Sequence, residues 1–147
     1  MPPFRYRSPV RALCLLASLS LLSACASTEP GTSGGYRDDI GRAPNAQTLA
    51  GVSAEVLRYY GFDLEAVETD LVQTDWRYTE GGFRDRATVQ IRPRGSDLFV
   101  GSIRVAVEGQ TEGGRWRPAA PSDDLRDQYA DMRAAMRQRL ERFMTQN

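Results

Sequence analysis

The chain has 147 residues with 19 basic and 19 acidic side chains; every basic residue is an arginine, and there is no histidine. Without histidine or lysine it cannot assemble a Ser-His-Asp triad, a Cys-His dyad, a lysine Schiff base or a histidine-bearing zinc centre, and its balanced charge gives no basic excess of the kind that binds nucleic acid. Its length suits one domain with a single core.

In chain order, Arg5, Arg7 and Arg11 form a positive leader, followed by an apolar run at residues 12–22. Eleven residues are too few to cross a hydrocarbon core of about 30 Å as a helix, which marks a signal-peptide core rather than a membrane span. Leu22, Ser23, Ala24 and Cys25 follow. This quartet resembles the lipobox of bacterial lipoproteins, in which the thiol of the cysteine accepts a diacylglyceryl group before cleavage. The resemblance implies a signal peptide at residues 1–24 and a mature chain that begins with acylated Cys25, stably anchored by its acyl chains. Ala26 follows the cysteine, where an aspartate would resemble an inner-membrane retention signal, so the expected location is the outer membrane, facing the periplasm. With Cys14 removed and Cys25 acylated, no disulfide or free thiol remains. Three arginines leave with the leader, and the mature chain carries 16 arginines against 19 acids.

Residues 25–44 are small, polar and rich in Gly, Pro and Ser, and read as a lipidated flexible tether in which Tyr36 and Ile40 either stay solvated or dock on a partner. The folded domain is expected over residues 45–147. Asn45 can cap a helix over residues 46–60, with Leu49, Val52, Val56, Leu57 and Tyr60 near one face and Gly61 at its end. Residues 62–67 read as a short extended segment. Residues 71–79 read as one strand, with Val72, Thr74, Trp76 and Tyr78 on one face and Leu71, Gln73, Asp75 and Arg77 on the other. After Gly81-Gly82, residues 83–92 alternate, with Phe83, Asp85, Ala87, Val89 and Ile91 opposite Arg84, Arg86, Thr88, Gln90 and Arg92. Residues 99–107 form a third strand, and Arg115-Trp116-Arg117 a short edge. Ser122, Asp123 and Asp124 open a long amphipathic helix through Leu125, Tyr129, Met132, Met136, Leu140 and Phe143. The expected fold is α+β: a three- to four-stranded antiparallel sheet packed by a long C-terminal and a shorter N-terminal helix, of helix-grip type.

Tyr60-Gly61-Phe62, then Val72-Gln73-Thr74-Asp75-Trp76, then the basic strand from Arg84 to Pro93 resemble, over residues 49–107, a helix-grip domain of the C lipoprotein of the outer-membrane barrel-assembly (BAM) machinery. The resemblance implies a part in outer-membrane assembly or maintenance. Here there is one domain where that family has two, and the tether is shorter than the family's partner-binding N-terminal segment.

Two surfaces stand out. Arg77, Arg84, Arg86 and Arg92 are expected to share one face, able to hold phosphate or carboxylate groups by paired hydrogen bonds or to remain a solvated, self-paired surface. Trp76 and Tyr78 are expected either in the core or lining a groove between sheet and C-terminal helix. The acidic pairs Asp38-Asp39 and Asp123-Asp124 lack the spacing of a calcium loop, and carboxylates around Asp75 read as a solvated face; no metal, cofactor or catalytic residue is expected. The expected function is a membrane-anchored, non-catalytic adaptor of the cell envelope, with an envelope protein or anionic polymer as partner. The alternative is a lipid- or glycan-binding module.

Overall fold

The computed structural model describes residues 35–146. The expected signal peptide, the expected lipobox and Cys25, the expected acylation position, lie outside them. The elements are β1 (Gly35–Ala43), α1 (Ala46–Tyr59), β2 (Leu64–Val67), β3 (Leu71–Thr74), β4 (Arg77–Thr79), β5 (Phe83–Pro93), β6 (Phe99–Gln110), β7 (Trp116–Pro118) and α2 (Asp123–Gln146).

All strands pair antiparallel in one seven-stranded sheet of order β1-β6-β5-β3-β2, with β4 also beside β5 and β7 also beside β6. The α+β class, the antiparallel sheet and the two helices match the sequence expectation; the three to four strands do not. The difference has three sources. Residues 35–43, expected in the tether, form β1 along β6, with Ile40 and Ala43 fully buried. The expected single strand at 71–79 is broken into β3 and β4, and residues 64–67 pair with β3 as an edge. The short strand at 116–118 is the edge expected at Arg115-Trp116-Arg117.

Both helix ends follow from local chemistry. The Asn45 side chain accepts the Thr48 amide at 2.7 Å and caps α1. At its far end Gly61 takes a positive φ of 83°, and the Phe62 and Gly61 amides donate back to the Leu57 and Arg58 carbonyls, both at 3.0 Å. This closure needs a left-handed residue, which glycine adopts without penalty, and it buries Phe62 beneath the helix. At the start of α2, Ser122 Oγ accepts the Leu125 amide at 3.3 Å, and Asp123 and Asp124 face the positive end of the helix dipole.

Both helices pack on one face of the sheet. From α2, which packs on β1 and α1, Tyr129, Met132, Met136 and Leu140 are buried in one core with Ile40 of β1, Leu49, Val56 and Leu57 of α1 and the inward residues of β5 and β6. Each such side chain contributes about 1.5 to 3 kcal/mol on removal from water, so this stripe fixes α2 on the sheet. Ile40 reaches Gly101 of β6 so closely that a Cβ there would stand 2.8 Å from it. The opposite face of the sheet carries no helix among the described residues.

Candidate anion-recognising surface

Asp85 lies on the inward face of β5 and is fully buried, the face its alternation with Ala87 and Val89 predicts. A carboxylate there requires a cation and donors. Arg77 supplies both: Nε donates to Oδ1 at 3.0 Å and Nη2 to Oδ2 at 2.6 Å. Tyr129 Oη donates to Oδ2 at 2.7 Å. The same guanidinium donates to the Tyr60 carbonyl at 2.6 Å and to Gln128 Oε1 at 2.9 Å, and lies 4.0 Å above the Phe62 ring. Burial, then the hydrogen bond to Asp85, push the Tyr129 phenol well above its ordinary pKa. This cluster ties β4, β5, α2 and the end of α1 together, and both carboxylate oxygens are occupied.

Arg77 therefore does not share a face with Arg84, Arg86 and Arg92. The reason lies in the bend at Asp75 and Trp76. Thr74 Oγ1 accepts the Ala87 amide at 2.9 Å and donates to the Ala87 carbonyl at 3.3 Å, ending the β3 ladder. The Asp75 amide then donates to the Asp63 carbonyl, and Asp75 Oδ1 accepts the Trp76 amide. The alternation slips by one residue, so Arg77 turns inward and Tyr78 outward. Thr74-Asp75-Trp76, the most distinctive part of the resemblance stated above, forms this bend.

Trp76 and Tyr78 consequently lie on the outer face of the sheet, not in the core or in a groove under α2. The Arg84 guanidinium stands 4.3 Å from the Trp76 ring and 4.5 Å from the Trp116 ring, and also pairs with Glu108 at 2.6 Å. Arg86 stacks on Trp76 at 4.9 Å and lies 4.0 Å from Glu65, which accepts the Gln73 side-chain amide. Tyr78, 69% exposed, meets Trp116 edge to face at 5.8 Å. Arginines stacked on two half-buried indoles beside an exposed phenol ring fit a surface that is half apolar and half cationic.

Arg92 is on this outer face too, farther along β5, bonded to Gln90. Arginines of β1 and β6 extend the face. Arg37 of β1 and Arg104 of β6 are directly opposite each other in the ladder, exposed, and without an ion-pair partner among the described residues. Arg37 escapes a sequence reading that places it in the tether; the signal that recovers it is the two-residue alternation of Tyr36, Asp38 and Ile40 against Arg37 and Asp39.

A separate cleft of about 520 Å³ opens where α2 ends over β1 and β6, rimmed by Arg42, Arg94 and Arg137 above Val100, Leu140 and Met144. No group of three acidic, histidine or cysteine side chains among the described residues is placed to hold a metal ion, and no described helix is long and apolar enough to cross a membrane. Comparison with protein-family models and with curated proteins gives no match for this chain.

Proposed function

We propose that this protein is a lipid-anchored, non-catalytic accessory lipoprotein of the bacterial cell envelope, acting as an adaptor in outer-membrane assembly or maintenance. Cys25 carries the anchor, the domain faces the periplasm, and its architecture is of helix-grip type. The observation that carries the adaptor reading is the helix-free sheet face, where Arg84 and Arg86 stack on tryptophans and Arg37 and Arg104 stand unpaired. Unpaired arginines recognise anionic groups through charge-assisted hydrogen bonds. The lipobox supports the anchor, and the inner ionic cluster, with every carboxylate oxygen engaged, supports a structural rather than a chemical role for Asp85.

Metabolic labelling with an alkyne palmitate, followed by fractionation, tests the anchor. The wild-type chain takes the label and pellets with membranes after high-salt washing; Cys25→Ser takes none and leaves the pellet. A labelled or salt-resistant Cys25→Ser protein would overturn the assignment.

A second reading, a lipid- or glycan-binding module, rests on the arginine-rimmed cleft at the end of α2. Native mass spectrometry of protein extracted from membranes distinguishes the two: a co-purifying lipid or saccharide lost in Arg137→Gln favours the module.

A further inference from the structure

The outer sheet face carries Arg37, Arg84, Arg86, Arg92 and Arg104 against three acids, Asp39, Glu65 and Glu108. Glu108 is engaged by Arg84 and Glu65 by Gln73 and Arg86, and Asp39, two residues along β1 from Arg37, makes no ion pair with Arg37 or Arg104 among the described residues. Arg37 directly opposite Arg104 is a like-charge pair across a ladder, which costs stability unless an anion sits between or above the two. Both tryptophans of the chain, Trp76 and Trp116, are on this face. The tether joins the domain at the same place. Gly35 pairs with Ala106, next to Arg104 along the outer face of β6, and stands only ten residues after Cys25. Ten residues of fully extended chain span at most about 35 Å, so an acylated Cys25 keeps the Arg37 end of the domain within that distance of the bilayer.

We propose that the open sheet face rests on the anionic phospholipid headgroups of the membrane that holds the Cys25 acyl chains, with Arg37 and Arg104 at the phosphates and the Trp76 and Trp116 indoles at the interface. This rests on the lipoprotein reading for its geometry. Arginine forks match phosphate oxygens, indole rings favour the headgroup level, and a headgroup phosphate removes the repulsion between Arg37 and Arg104. The contact is weak on its own, at about 1 kcal/mol per arginine, and the tether makes it persistent by keeping the local headgroup concentration high.

The core of the domain is drawn wholly from residues 40–140, so a fragment of residues 26–147, without leader or acyl chains, is the fitting probe. It is mixed with vesicles of phosphatidylglycerol or of phosphatidylcholine and followed by co-sedimentation and by tryptophan emission. The expected result is sedimentation with phosphatidylglycerol alone, weakening with salt, accompanied by a blue shift that reports burial of Trp76 and Trp116. The variant R37Q/R104Q lowers the partition coefficient about 30-fold, the loss of two arginines at about 1 kcal/mol each. The control R58Q/R142Q, in the helix layer, leaves it unchanged, and melting curves verify that both variants are folded. Failure to sediment with phosphatidylglycerol overturns the proposal and leaves the face to a protein partner. Binding without a blue shift, or equal loss in the control, overturns it as well. None of these readings depends on acylation, which palmitate labelling decides separately.

Discussion

Asp85 and Arg77 show how one buried charge organises its surroundings. A carboxylate at full burial is tolerable only when a cation and hydrogen bonds replace its water, and four elements of the fold contribute to that replacement. Asp85→Asn keeps the shape but leaves the Arg77 guanidinium without its counter-charge, and should cost about 3 to 5 kcal/mol in urea unfolding. Tyr129→Phe removes one hydrogen bond to a charged acceptor, and should cost about 1.5 to 3 kcal/mol. The phenol also sets a pH signature. Its folded pKa is raised, so the contribution is fully present below the unfolded value of 10.0 and declines as pH rises above it, because the unfolded chain loses that proton first. Above that pH, stability should fall less steeply in Tyr129→Phe than in wild type; parallel slopes would show that burial and Asp85 do not hold the Tyr129 proton in the folded state.

At the scale of elements, legibility depended on whether a periodic pattern ran unbroken. Strands β5 and β6 and helix α2 each repeat one period for ten residues or more, and the structure buries their inward residues where that period predicts, except Phe143, expected in the α2 stripe and 39% exposed near the helix end. Residues 71–79 show the opposite case. A single strand assumed there sends Arg77 outward, whereas the Thr74 hydroxyl bridge to Ala87 resets the alternation and sends it inward. Asp85 carried the clue: placed inward by its own strand, it needed a cation, and Arg77 lies opposite it in the ladder. Strand β1 was hidden by composition, because its glycines and charges look like linker while its alternating Tyr36, Asp38 and Ile40 turn inward. For α2 the pattern yields a sharp contrast. Met136 is fully buried and Arg137 exposed, so Met136→Asp should lower the melting temperature severely or prevent folding, while Arg137→Asp should shift stability by only about 0.5 kcal/mol. Equal melting midpoints would show that α2 does not pack on the sheet.

For the whole molecule, the decisive boundary is the one before β1. A domain that began at residue 45 would have β6 as a sheet edge, with the unpaired amides and carbonyls of residues 99–106 open to other chains. It would also lose Ile40, fully buried against Gly101 and worth about 1.5 to 3 kcal/mol, and the ion pair at 2.6 Å by which Asp38 holds Arg133 of α2. Tyr36, which packs its ring 5.8 Å from Tyr129 beside the Asp85 cluster, would go with them. Against a typical domain stability of about 5 to 15 kcal/mol, these losses together are enough to remove cooperative folding. A fragment of residues 26–147 should therefore melt in a single transition and remain monomeric, whereas a fragment of residues 45–147 should aggregate or show no transition by circular dichroism and light scattering. Supplying residues 33–45 as a separate peptide should restore part of the lost transition, because the peptide can re-form the β1 ladder along β6. A shortened fragment that melts like the longer one would show that β1 is dispensable, and would return residues 35–43 to the tether.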